Sequence, residues 1–294
     1  MSSTLSRQHP FTGFLLASAG LLLFACMDSC TKYLTAHFNV PFVVAIRYIT
    51  QFVLMFSILA PRYSGHLIKT QRTSLVIVRS VSLSFASLFV GLALQRMPLA
   101  ETTAINFLAP MLVVLVASPL LGEHIGTAGW IAAIGGFLGV LLIIRPGSGL
   151  DTAGILFSLL AVCANTIYQL LSRVLTRTEK VITLLFYTAL VGSIFFSLAL
   201  PWFWESKTPS HLELGLFLLM GVSGGLGHYL FTAAFRYAPA SLLAPVTYLQ
   251  LLWATLLGWI IFDTTPDHLG VIGMIIVAAS GLIIALKSSR KPKL

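Results

Sequence analysis

The sequence predicts an all-α membrane protein, with ten transmembrane helices arranged as two inverted five-helix repeats. Three observations predict it. The 294-residue chain is 57% hydrophobic and only 9% charged, with a mean hydropathy of +0.93, too apolar for the surface of a soluble protein of that length. Its apolar residues fall into ten runs, each near the roughly 20 residues that cross a bilayer core. Features of the first half recur in the second at a near-constant offset.

The runs are roughly 11–35, 41–60, 73–95, 100–121, 126–145, 152–174, 181–203, 212–236, 240–262 and 267–287. Each is continuously apolar rather than alternating, which favours helices over the strands of a barrel. A helix also satisfies its own backbone groups where no water can. The links are short and leave no room for a separate soluble domain. The first run follows MSSTLSRQHP, carries Asp28 and lacks a small-x-small cleavage site after a basic region. It reads as a retained helix rather than a signal peptide.

Residues 93–98 read ALQRMP and residues 234–239 read AFRYAP, an offset of 141 (239 − 98). Phe107 then pairs with Tyr248, and the acidic tip Gly122-Glu123 with Phe262-Asp263. The last span of each half shares a Gly-rich, Leu/Ile-ending pattern, GGFLGVLLII at 135–144 and AASGLIIAL at 278–286. The chain therefore divides into a first repeat, 1–150, and a second, 151–294. Five spans per repeat place the copies in opposite orientations about a pseudo-two-fold axis in the membrane plane. That architecture supplies two near-equivalent arrangements, each open to one side, with a site near the midplane. Channels and some membrane enzymes are duplicated too, so the duplication alone does not prove transport. Gly135/Gly139 and Gly221/Gly225 form small-xxx-small faces for close helix contact. Pro110, Pro119 and Pro245 lie within spans 4 and 9, where each removes a helical hydrogen bond and allows a kink.

The net charge of +9 follows topology rather than a nucleic-acid partner. With the N-terminus inside, twelve of the 18 Lys and Arg fall at inner ends, among them Arg7, Arg72, Arg177, Arg236 and the tail KSSRKPKL. Four (Lys32, Arg96, Arg145, Lys207) fall at outer ends, and Arg47 and Arg79 lie within spans. A three-to-one bias is the positive-inside signature and puts both termini on the inner side of the membrane. Cys26, Cys30 and Cys163 all lie in spans and give neither a disulfide framework nor a metal-ligand set.

A charge inside lipid costs a few kcal/mol or more, so each one kept there suggests a role. Asp28 and Lys32 are four apart on one helix face and can pair. With Arg47 and Tyr48 they form a polar, net-positive patch at the outer mouth, where Arg suits a carboxylate or phosphate. Lys32 and Arg79 are expected to snorkel toward the surface, and Arg96 and Glu101 bracket the outer link between spans 3 and 4. Deeper polar groups are Asn106, Asn165, Tyr168, Gln169, Tyr187, His228, Tyr229, Tyr248, Gln250 and Trp253. Amides, hydroxyls and aromatics together suit a small organic solute, planar ones included. The candidate substrate-binding or gating residues are Asp28, Lys32, Arg47, Tyr48, Asn106, Asn165, Tyr168, His228 and Tyr248. Helix-to-helix hydrogen bonding is the alternative for each taken singly. Tyr33, Trp202 and Trp204 at span ends are interface anchors. The sequence carries no phosphate-cradling Gly-Lys loop, HExxH, nucleophile elbow or Cys/His ligand set. No catalytic residue, metal or cofactor is therefore expected.

The span-1 Lys32, the span-2 P-x5-R ending at Arg47, the stretch ALQRMPLAETTAINFLAPMLVVLVASPLLGE at 93–123 and its echo AFRYAPASLLAPVTYLQLLWATLLGWIIFD at 234–263 together resemble the EamA family of the drug/metabolite transporter superfamily. The resemblance implies a secondary carrier with inverted five-span repeats, both termini cytoplasmic and a central substrate cavity. It implies a small-molecule solute and membrane lipid as partners, with no nucleic acid. A coupling proton or cation is compatible with it, and so is either a monomer or a homodimer. The second repeat departs from the family's Gly-Glu tip at Phe262-Asp263. The MDSCTKYL start is similar to that of carriers of riboflavin or S-adenosylmethionine, and amino-acid exporters stay open. A membrane-embedded enzyme or receptor-like protein is the alternative from another class.

Overall fold

A computed structural model describes residues 10–63, 68–121, 127–145, 147–176, 178–204, 206–234, 237, 243 and 245–289. Arg7, Gly122-Glu123, Arg177, Arg236, Pro239 and the tail from Arg290 lie outside the described residues. The helices are α1 (Pro10–Thr35), α2 (Val40–Tyr63), α3 (Thr73–Arg96), α4 (Leu99–Asn106), α5 (Leu108–Leu121), α6 (Thr127–Ile143), α7 (Thr152–Leu175), α8 (Val181–Ala199), α9 (His211–Ala234), α10 (Leu249–Phe262) and α11 (His268–Ser289). Short 3-10 turns extend α8 at Leu200–Trp202 and precede α10 at Pro245–Tyr248.

Among the described residues, six helices are long and apolar enough to cross a membrane, and four shorter apolar helices (Leu99–Val113, Ala133–Ile143, Val246–Phe262, His268–Ser280) fall in the remaining four runs. Large apolar side chains such as Phe56, Phe137, Leu198 and Ile275 are exposed, as a lipid-facing surface requires. Several hydroxyls inside the bundle are satisfied locally, while those of Ser18, Ser158, Thr183 and Ser223 have no partner. Ser29, Ser80, Thr103 and Thr166 each donate to the carbonyl four residues back in their own helix, which removes the cost of an unpaired group in a dry interior. At the helix ends Asp151 caps α7 by accepting from the Gly154 N–H at 2.7 Å, and Asp267 accepts from the Gly270 N–H at 2.7 Å at the start of α11.

The packing is two-fold symmetric. The α1–α9 pair is matched by α7–α3, and α2–α9 by α8–α3, while α6 meets α11 and α2 meets α8, each with its own counterpart. The symmetry reaches single residues. Leu34, Val43 and Phe217 share one core cluster. The residues at the 141 offset, Leu175, Leu184 and Val76, share another. Small residues permit the tightest crossings: a Cβ at Gly139 would lie 2.8 Å from the Gly273 carbonyl of α11, and one at Gly20 3.0 Å from the Gly227 carbonyl of α9.

Span 4 is not one helix. It breaks at Phe107, between α4 and α5. Pro110 lacks the N–H that would bond the Asn106 carbonyl, and the Phe107 N–H is shared between the Thr103 and Ala104 carbonyls. Pro119 stays within α5 without ending it, and Pro245 opens the turn before α10. In the second repeat α10 starts at Leu249, directly after Tyr248, just as α5 starts directly after its equivalent Phe107.

Candidate solute-binding site

Two faces organise the site: the one bearing the α3–α4 link and the opposite one bearing the α2–α3 link. Asp28 on α1 and Arg47 on α2 lie toward the α3–α4 face. The Asp28 carboxylate accepts from the Gln250 side chain of α10, with Arg47 in electrostatic reach. Arg47 is 7% exposed, yet its protein partners are weak. One Nη donates to the Met27 thioether at 4.0 Å, the guanidinium lies 4.8 Å from the Tyr48 ring, and Nε has no partner. A thioether is a poor acceptor, so this guanidinium keeps unused hydrogen-bonding capacity. Asp28 and Arg47 together offer one group of each sign inside an apolar bundle.

The aromatic part of the site lies on the symmetry axis. Phe107 and Tyr248, equivalent residues just before the starts of α5 and α10, stack on each other with ring centroids 4.9 Å apart and 28° between planes. Trp253, about one turn along α10, is half-buried with its indole N–H unpartnered. His228 packs its ring edge against Phe24, centroids 4.7 Å apart.

Other expected site residues stand elsewhere. Lys32 does not pair with Asp28 and does not snorkel. Its ammonium donates to the carbonyls of Leu94 (3.0 Å) and Met97 (2.7 Å) and lies 5.5 Å from the Phe262 ring. The last carbonyls of α3 have no partners within their helix and carry its negative dipole end, which holds the cation there. Tyr48 is 2% exposed, bonds Ser87 Oγ at 2.9 Å and stacks on Phe196, so it fastens α2 to α3 and α8. Asn106 donates to Thr102 O of its own helix at 2.9 Å, and Asn165 is half-buried on α7. Tyr187 donates to Ile68 O at 3.0 Å, and Tyr229 turns outward, 63% exposed. Arg96 pairs not with Glu101 but with Asp151, at 3.7 Å. Glu101 is buried, with Oε2 unpartnered.

Arg79, expected to snorkel, is instead 4% exposed and bonded on every side. It donates to Ser172 Oγ (2.7 Å), Thr188 Oγ1 (2.8 Å), Leu184 O (3.1 Å) and Tyr168 OH (3.0 Å), with its guanidinium 4.4 Å from the Tyr168 ring. Tyr168 therefore joins a cluster toward the α2–α3 face, away from Asp28. The spacing of Tyr168 and Ser172, four apart on one helix face, was the available signal.

A model of the EamA-like transporter family matches the chain twice, at residues 11–145 and 152–286. The S-adenosylmethionine uptake transporter of Rickettsia bellii is 28% identical over 222 residues, covering 76% of this chain and 76% of that protein. The pseudopaline exporter CntI of Pseudomonas aeruginosa is 25% identical over 287 residues, covering 95% of this chain and 97% of that protein. A solved crystal structure at 19% identity shares the fold, with a TM-score of 0.62 over 93% of this chain and 98% of that one. The chain therefore belongs to the EamA-like transporter family, and is a multi-pass secondary transporter of a small organic metabolite built from two inverted five-helix repeats.

Proposed function

We propose that the carrier moves an S-adenosylmethionine-type solute, an amino acid joined to a flat heteroaromatic group, across the bacterial inner membrane with both termini cytoplasmic. The observation that carries this reading is the buried, weakly partnered Arg47 guanidinium, with the Asp28 carboxylate in its electrostatic reach. A zwitterionic amino-acid end answers both at once: its carboxylate bonds Arg47 and its ammonium meets Asp28. The Phe107–Tyr248 stack and Trp253 offer the flat ring a bed. Asn106, Asn165 and His228 line the path. The repeats, 1–150 and 151–294, rock about the helix breaks at Phe107 and Tyr248, and no step requires bond chemistry. The relatives named for S-adenosylmethionine uptake support the choice of solute.

The test is uptake of labelled S-adenosylmethionine by liposomes holding the purified chain, with unlabelled competitors. Saturable uptake that methionine or adenosine alone competes weakly is expected. Uptake of riboflavin with equal efficiency would replace this reading with the flavin one, which the aromatic stack also suits. Product formation without flux would make the protein an enzyme.

A further inference from the structure

The two arginines inside the bundle belong to clusters linked by the pseudo-two-fold axis, though not at equivalent positions within them. Subtracting the repeat offset of 141 (152 − 11) takes Tyr168 to Met27, Ser172 to Thr31 and Thr188 to Arg47, and adding it takes Arg79 to Met220. Each set of four makes one cluster, at opposite faces. The local geometry is conserved between them. Ser172 Oγ donates to the Tyr168 carbonyl at 2.6 Å, and Thr31 Oγ1 to the Met27 carbonyl at 2.8 Å. Ser172 then accepts from Arg79, whereas Thr31 reaches the Met220 thioether at 3.4 Å.

The chemistry is not conserved. Toward the α2–α3 face, Arg79 of the first repeat places four N–H bonds on α7 and α8 of the second. Nearby, Glu179 accepts the backbone N–H groups of Gln71 and Arg72 at 2.9 and 3.0 Å, tying the α2–α3 link to the α7–α8 link. Toward the α3–α4 face the matching contacts are thioethers and rings. The counterpart of Glu179 is Phe38, which packs on Phe42 and Phe217. Arg47 there has one long bond to sulfur.

We propose that the Arg79 cluster is the bolt of the gate at the α2–α3 face, and that the thioether-and-ring clasp at the α3–α4 face, crossed by the partly exposed Arg96–Asp151 and Arg145–Asp267 ion pairs, which solvent screens, is the gate that yields first. The empty carrier then rests shut at the α2–α3 face and ready to open at the other. Opening the bolted gate requires Arg79 to release Tyr168, Ser172 and Thr188 together. This rests on the transport reading, because only alternating access gives the two faces opposed roles.

Hydrogen–deuterium exchange on the reconstituted, solute-free carrier tests it. Residues 168–175 at the bolt are expected to exchange more slowly than the two-fold equivalent 27–34. Replacing Arg79 outright risks the fold, so the variant is Tyr168→Phe with Thr188→Val, which keeps shape and removes two acceptors. At about 0.6 kcal/mol for each bond inside a membrane protein, the loss predicts roughly eightfold faster exchange at 168–175, with 27–34 unchanged. Equal exchange at the two faces in the wild type, an unchanged variant or a rise everywhere would each overturn the bolt. Failure of the transport reading is separate: the wild type would then show no solute flux.

Discussion

Arg47 and Arg79 are both buried guanidiniums, 7% and 4% exposed, and the structure predicts opposite consequences for replacing each by methionine. Arg47→Met removes one 4.0 Å bond to a thioether and a ring contact at 4.8 Å, worth about 1 kcal/mol together. It also relieves the desolvation of a cation whose Nε has no partner. Losing this cation's attraction to the buried Asp28 works against that relief, so the variant should be somewhat destabilised but still unfold later than Arg79→Met. A solute carboxylate held by that guanidinium loses a charge-assisted bond of about 1.5–3 kcal/mol, roughly a 10- to 100-fold weaker Kd. Arg79→Met removes four hydrogen bonds, about 2–3 kcal/mol at membrane-protein values, and lowers the melting temperature while leaving the solute contacts in place. Thermal unfolding in detergent and the KM for uptake, measured on both variants, separate the roles. An unchanged KM in Arg47→Met, or earlier unfolding of that variant than of Arg79→Met, would refute the reasoning.

Other outcomes follow from local geometry. Gly139→Val puts its Cβ 2.8 Å from the Gly273 carbonyl, a backbone atom that cannot step aside, so it should cost about 1–3 kcal/mol in detergent unfolding. Tyr248→Ala removes the stack on Phe107, worth about 0.5–1.5 kcal/mol. It should raise the KM for an aromatic-bearing solute several-fold while leaving competition by methionine unchanged. Asp267, which precedes α11 at its solvent-facing end, is held below the usual aspartate range by the Arg145 side chain and then by the Gly270 N–H. A depressed carboxyl stabilises fully above its ordinary pKa of about 3.9 and loses that contribution as pH falls through the folded value. Melting temperatures of wild type and Asp267→Asn should therefore converge on acidification below about pH 4.

The span pattern was legible because the lipid core demands continuous apolar helices, and the duplication because Pro98 and Phe107 recur in register as Pro239 and Tyr248. Side-chain partners were not legible. Periodicity put Asp28 and Lys32 on one face, but the open carbonyls ending α3 compete for the ammonium, and they come from another helix. Arg79 reads as a snorkelling residue when only its own helix is considered. Its acceptors lie on α7 and α8, about a hundred residues away in sequence. Phe107 was visible as a repeat position. Its contact with Tyr248 depends on the axis passing between them, which no single repeat reveals.

Counterflow tests the central claim most directly. Liposomes holding the purified chain are loaded with unlabelled S-adenosylmethionine and diluted into a trace of labelled solute. A carrier whose two repeats open one face at a time predicts a transient overshoot of label inside, decaying as the internal pool runs down. Monotonic filling to equilibrium, as through a pore, would contradict it.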